Sequence, residues 1–230
     1  MRPPVGFGQG CICLLQFSDQ LSNENPSKHQ LSFWNSWVKE SFTPEASVKF
    51  TLWMDKKKVE ARPIQISVFH LPRFFLVTAQ CGVKSMTLSF DGAQETLYPH
   101  SHAVVKCDRA VWTYKYTNGY VVTLSGPLTV HVVLCPRTNQ TPTPLQRFPW
   151  SLKFDHFQFE SVMHAKFYST SNPNGGPSQR WAEEENQGEP QTLIPDVSTA
   201  ADLVNSFGIP VATMRCLQVS HRHRTHANTF

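Results

Sequence analysis

Charge is scarce in this sequence. Only 17% of its 230 residues are Asp, Glu, Lys or Arg, and 21 basic against 17 acidic side chains leave a net charge of +4. So small an excess excludes the concentrated basic face of a dedicated DNA-binding module. Long apolar runs are also missing, since no stretch approaches the ~18 residues that a membrane span requires. Met1-Arg2-Pro3-Pro4 leads into an apolar patch from Cys11 to Phe17, broken by Gln16, with neither the h-region nor the cleavage site of a signal peptide. These absences predict a soluble, intracellular protein. No internal repeat is visible.

Catalytic and ligand-binding patterns are thin as well. Gly6, Gly8 and Gly10 form a GxGxG run, but no strand precedes it and the third glycine misses the dinucleotide spacing. His100 and His102 lie within metal reach of each other, yet no Cys or carboxylate stands at ligand spacing, and a solvated loop is the expectation. Asp155 and His156 adjoin on a strand, where neighbours face opposite sides and cannot work as a dyad. The tail His221-Arg222-His223-Arg224-Thr225-His226 lacks an apolar residue to fix a geometry and reads as a solvated terminus. Asn139-Gln140-Thr141 fits a glycosylation acceptor, which matters only in a secreted chain. No cofactor and no metal site is implied.

What the chain has is apolar and aromatic material: 40% of its residues are hydrophobic and 12% of the whole chain is aromatic. That mixture excludes a disordered tail, a collagen and a coiled-coil rod. A chain this long buries roughly 70% of its unfolded surface and needs no disulfide or metal staple. Its six cysteines, at 11, 13, 81, 107, 135 and 216, are therefore expected as buried free thiols; Cys11 and Cys13 sit at a helix start, where they would point apart.

Periodicity gives the element order. Leu14, Phe17 and Leu21, widened by Leu15, predict a helix from about Ile12 to Ser22. Ser27 and Gln30 resemble a capping box for a second helix, with Leu31, Trp34 and Val38 as its stripe, Phe33 and Trp37 beside it, and Pro44 as its stop. Trp34, Trp37 and Phe42 are expected to be buried together. After Pro44 the period becomes two: Val48, Phe50 and Leu52 predict a strand, Asp55 to Lys58 a charged turn, and Val59 to Ile66 its hairpin partner. Pro72, with Leu71, Phe74, Phe75 and Thr78, then Gly82, predicts a short third helix.

From Val83 the chain reads as strands: Met86 to Phe90, Val104-Val105, Trp112 to Tyr116, Val121 to Ser125, Leu128 to Leu134 and Trp150 to Phe157. Asn118-Gly119 is a hairpin turn signal. Helices followed by a meander mean α+β. A twisted antiparallel sheet closing over helices makes a half-open cone, and periodicity leaves other α+β layouts equally open. Trp112, Tyr114 and Tyr116 are expected as a core stripe, the alternative being that in a cone they line a pocket. Residues 9–168 read as one folded unit, 169–194 as a disordered linker rich in Ser, Asn, Pro, Gly and Gln, 195–220 as a helical part of the same unit, and 221–230 as a disordered tail. Ser198 to Ser220 is expected to form two short helices hinged at Gly208-Ile209-Pro210, with Val211, Met214 and Leu217 as one apolar stripe.

Several motifs in order carry a family resemblance. Ser32-Phe33-Trp34-Asn35-Ser36-Trp37-Val38-Lys39-Glu40-Ser41-Phe42-Thr43-Pro44, then Leu71-Pro72-Arg73-Phe74-Phe75, Gly82 to Met86, Tyr116 to Leu128, and Phe207 to Gln218, resemble the LIM-domain-binding protein/SEUSS family of transcriptional co-regulators, in its fungal branch. The resemblance implies a self-association domain of nuclear-transport-factor-2-like cone shape, without enzymatic activity, in a nuclear scaffold. It further implies a scaffold that bridges DNA-bound transcription factors and LisH-containing partners without contacting bases itself. Val211, Met214 and Leu217 become candidate self-association residues. The family continues a long helix after Gln218, where this chain turns into its His- and Arg-rich end; the sequence therefore reads as truncated, and dimerisation is expected to be weak or absent. The runner-up reading is a small-molecule-binding or enzymatic cone with Trp112, Tyr114 and Tyr116 lining its pocket.

Overall fold

A computed structural model describes residues 3–53, 61–137, 149–170, 178–181 and 204–217. Helix α1 (Gln9–Ser22) buries Leu14, Phe17 and Leu21, the expected stripe, while Leu15 faces solvent and does not widen it. The helix starts ahead of Ile12. Gly8, at φ 83°, turns the chain in, and the Glu95 carboxylate accepts from the amides of Gly10 and Cys11 at 3.0 and 3.4 Å. Those amides have no partner within the helix, and a carboxylate complements the positive end of its dipole.

The capping box does not form. Ser27 lies inside a 3₁₀ turn (Pro26–His29), where its amide donates to the Asn25 side chain at 2.9 Å, and Gln30 caps α2 (Leu31–Ser41) with backbone only. Helix α2 buries Trp34, Trp37 and Val38 as expected. It ends at Ser41, because proline disfavours helical backbone at Thr43, and Pro44 itself sits in the following strand. Lys28 joins the first two helices: its ammonium donates to the carbonyls of Leu21, at 2.9 Å, and Asn23, while its own carbonyl accepts from Trp34 Nε1 at 2.7 Å.

The remaining elements are β1 (Phe42–Trp53), β2 (Ala61–Ser67), α3 (Leu71–Gln80), β3 (Val83–Ser89), β4 (Gln94–Tyr98), β5 (His102–Tyr116), β6 (Tyr120–Pro136), β7 (Trp150–Ser161), β8 (Met163–Thr170) and β9 (Ser178–Trp181). They form one sheet along the path β2-β1-β7-β6-β5-β3, with β4 on β5, β8 on β6 and β9 on β8. The α+β class and the hairpins β1–β2 and β5–β6 are as predicted. One pair departs from an antiparallel sheet: β1 and β7 run parallel. The intervening chain is long enough for the crossover that parallel neighbours need.

Residues 121–125 and 128–134, expected as two strands, belong to the single 17-residue strand β6. Its bend lies at Gly126, opposite Ala110, where the β5–β6 register slips after Cys107. A Cβ at Gly126 would stand 2.0 Å from the Glu160 carbonyl oxygen, so only glycine lets the strands cross there. The bend splits the sheet into two wings. Beyond it β6 exchanges β8 for β7 as neighbour, and β5 exchanges β3 for β4.

The helices fill the concave side of this curved sheet. Phe17 stacks on Trp37 with centroids 5.0 Å apart and meets the edges of Phe42, Phe154 and Trp112. The segment 204–217 returns to the same core. Val204 bridges to Pro210, and the Asn205 side chain accepts from the amides of Phe207 and Ile209 at 3.0 and 3.1 Å. Residues 211–217 then form a helical turn, α4. Ahead of Gly208 the described chain is thus a side-chain-capped turn rather than a helix.

Within the predicted linker, Ser169 and Thr170 complete β8, and Ser178–Trp181 pairs along its edge as β9, which satisfies backbone groups a bare edge would leave open. The rest of that linker, residues 198–203 of the first predicted terminal helix, the turn at Lys56 to Lys58, Asn139 to Thr141, and the tail from His221 lie outside the described residues. All six cysteines are free; Cys107 is buried and the other five half-buried. No described helix is long and apolar enough to cross a membrane.

Candidate functional site

The interior is filled where a pocket was one of the two readings. Trp112, Tyr114 and Tyr116 alternate along β5 onto the helix-facing side, all three buried. Trp112 packs against Phe50, Phe157 and Phe17 at centroid distances of 5.6, 6.1 and 6.3 Å. Burial raises both phenols, and Tyr114 raises Tyr116 further. Trp112 Nε1 and Tyr116 OH are the buried side-chain polar atoms without a hydrogen-bond partner among the described residues. The three side chains form the core stripe.

The other chemical candidates are absorbed into structure. The amides that follow the glycine run are occupied by Glu95. Burial pushes the Cys13 thiol up to about 12 and raises Cys11, Cys81 and Cys216, so none is poised as a thiolate. His100 sits in a left-handed turn with Ser101, while His102 turns to His131, with Nε2 3.2 Å from Nδ1; the His156 ring follows at 5.3 Å. No group of three metal-ligating side chains is assembled among the described residues. Asp155 accepts from Thr43 Oγ1 at 2.8 Å and does not engage His156 as a dyad.

Met214 and Leu217 of the candidate self-association stripe are buried in the chain's own core, and Val211 is half-buried. The stripe packs inward because the Asn205–Gly208 turn lies directly on the sheet; a Cβ at Gly208 would stand 2.7 Å from Leu124 Cδ2.

The surface carries a groove of about 840 Å³, open along one side. Leu31, Asn35, Val38 and Lys39 bring one edge of α2 to it, and Phe42 and Pro44 continue that wall into β1. Opposite stand Val68, Phe69 and His70, from the β2–α3 connection, with Pro72 and Arg73 of the first turn of α3. Cys135, Pro136 and Lys153, from β6 and β7, close the end. Lys153 Nζ donates to the Lys39 carbonyl at 2.7 Å, and His70 Nδ1 lies 2.8 Å from Ser67 Oγ. Phe69 is 86% exposed, and Leu31, expected in the core stripe, faces the groove instead. Its signal in the sequence was the run Val68-Phe69 just before Pro72, apolar residues outside any predicted stripe.

A family model described as LIM-domain binding protein matches residues 12–222. The chain belongs to the LIM-domain binding protein family. Transcriptional activator ptaB of Aspergillus fumigatus is a relative with 23% identity over 134 residues, 57% of this chain and 18% of that protein, so the match spans about a fifth of the relative's length. Solved structures resemble the fold distantly. A proposed aromatic ring hydroxylase from Novosphingobium aromaticivorans is 14% identical with a TM-score of 0.38, the match covering 73% of this chain and 91% of that one. A nuclear transport factor 2-like superfamily protein from Salmonella enterica serovar Typhimurium is 13% identical with a TM-score of 0.35, over 73% of this chain and 99% of that one. Neither likeness speaks to what the LIM-domain binding chain does. Two of the segments that carried the resemblance, Ser32 to Pro44 and Leu71 to Phe75, contribute Asn35, Val38, Lys39, Phe42, Pro44, Pro72 and Arg73 to the groove.

Proposed function

We propose that this chain is a self-associating scaffold domain of a nuclear transcriptional co-regulator, bridging DNA-bound transcription factors through protein contacts and catalysing nothing. The observation that carries the reading is the family match over residues 12–222, and the relative described as a transcriptional activator agrees with it. The filled interior favours it over the runner-up, since a ligand-binding or enzymatic cone needs room beside Trp112, Tyr114 and Tyr116. Partners on this reading are transcription factors and LisH-containing co-regulators, and the compartment is the nucleus. Of Val211, Met214 and Leu217, only Val211 keeps accessible surface for self-association. A second apolar surface is available at the start of α1, where Phe7 ahead of the helix and Ile12 and Leu15 on it stand exposed.

Sedimentation equilibrium of the whole chain, beside Val211→Asp and Ile12→Asp/Leu15→Asp, tests self-association. A reversible dimer weakened by one of these variants is the expected result. A chain monomeric at every concentration removes self-association from the reading. For bridging, the chain fused to a DNA-binding domain should recruit a LisH-containing co-regulator to a reporter, and loss of that recruitment would remove the scaffold role.

A further inference from the structure

We propose that the groove between α2 and the first turn of α3 is the docking site for an acidic, apolar peptide segment of a partner protein. The inference deepens the scaffold reading, on which it rests for the source of the peptide, and the groove shares no residue with the surfaces proposed for self-association.

Two features define the occupant. The apolar side of the groove is unpartnered: Phe69 projects from the β2–α3 connection almost fully into solvent, Leu31 faces it from α2, and Val38 and Phe42 lie below. An exposed aromatic ring beside an apolar concavity is the arrangement into which a partner's apolar anchors fit. The second feature is charge. Lys39, Arg73 and Lys153 border the groove, and among the described residues no carboxylate lines it. Lys153 is held in place by its bond to the Lys39 carbonyl, which puts one cation at the closed end, with Arg73 on the opposite wall. Complementarity therefore asks for negative charge beside apolar side chains in the same ligand.

Shape selects a chain rather than a small molecule. At about 840 Å³ the volume suits a few side chains, but the groove is open along one side and would leave a compact ligand largely in water. A peptide can place its anchors on the floor and its carboxylates on the rim, the remainder continuing into solvent.

The test displays two random peptide libraries to the whole chain, one with Asp and Glu interspersed among Leu, Phe and Trp, the other with Lys and Arg in the acidic positions. Enriched peptides are then titrated by fluorescence polarisation against wild type, Arg73→Glu, Lys39→Glu and Phe69→Ser, all at exposed positions, with thermal melts confirming that each variant folds. The expected result is enrichment from the acidic library alone, an affinity loss of about tenfold or more in Arg73→Glu and Phe69→Ser, and weakening with added salt. Failure of the acidic library to enrich, equal enrichment from the basic one, or indifference of the selected peptides to all three substitutions would overturn the proposal. Sedimentation of the same variants separates it from the scaffold reading. Loss of self-association in Phe69→Ser would make the occupant a second copy of this chain and also overturn it. A monomeric chain that still binds acidic peptides through Arg73 and Phe69 upholds the groove and removes only self-association.

Discussion

The hydroxyl of Thr213 meets that of Thr78 at 3.1 Å, and both side chains are fully buried. Thr78 also donates to the Phe74 carbonyl at 2.7 Å, and the Thr213 side chain also hydrogen-bonds the Cys81 thiol. The bond between the two hydroxyls joins α3 to α4 across 135 positions of sequence. Together with the Arg62 guanidinium 5.0 Å above the Phe207 ring, it makes the segment 204–217 an integral wall of the core.

Thr78→Val should therefore cost about 0.5–1.5 kcal/mol, the net worth of the lost bond, because the Cys81 thiol remains beside the Thr213 hydroxyl. The pair Thr78→Val/Thr213→Val should cost less than the sum of the two single changes, since each single change already removes the bond the two hydroxyls share. Urea midpoints of the four proteins check this, and strict additivity would mean that the two hydroxyls are not coupled.

Trp34 stacks on Phe75 at 5.0 Å and donates from Nε1 to the Lys28 carbonyl. Trp34→Ala removes both contacts and should cost about 3–5 kcal/mol. An unchanged denaturant midpoint would refute the placement of this face of α2 between α1 and α3.

Gly126→Ala should be far more harmful than its chemistry implies, because the added Cβ would lie 2.0 Å from the Glu160 carbonyl oxygen at the bend of β6. The loss is expected to reach at least about 3 kcal/mol. Gly92, at φ 74° with open space around it, provides the control: Gly92→Ala should cost only the left-handed backbone penalty of about 1–2 kcal/mol. Similar thermal shifts in the two variants would show that the bend does not depend on the close approach.

On the outer face of the sheet, burial lowers the His131 pKa, and neighbouring His102 and His156 lower it further; Asp155 opposes them and Lys106 adds to them. The unfolded chain then binds the proton more readily than the folded one. Stability attributable to His131 is present above its unfolded value of about 6.5 and is lost as pH falls through the lower folded value. His131→Gln should flatten the fall in urea midpoint between about pH 7.5 and about pH 5. An equal fall in variant and wild type would place the acid sensitivity elsewhere.

Local rules fixed much of this molecule. The stripe of Leu14, Phe17 and Leu21, the Pro72 and Gly82 bracket around α3, and the Asn118-Gly119 turn each depend on residues a few positions apart, so the α+β order and most of the core follow from the sequence, as did the family resemblance. What depended on distant partners was settled only in three dimensions. The parallel β1–β7 pair, the continuity of β6 through Gly126, the capping of α1 by Glu95, and the inward turn of Met214 and Leu217 all bring together residues far apart in the chain. The groove belongs to this second group. Leu31 has the helical spacing of a core residue and Phe69 the hydropathy of one; only the meeting of α2, the β2–α3 connection and the ends of β6 and β7 leaves both at the surface, beside three cations that no periodicity places together.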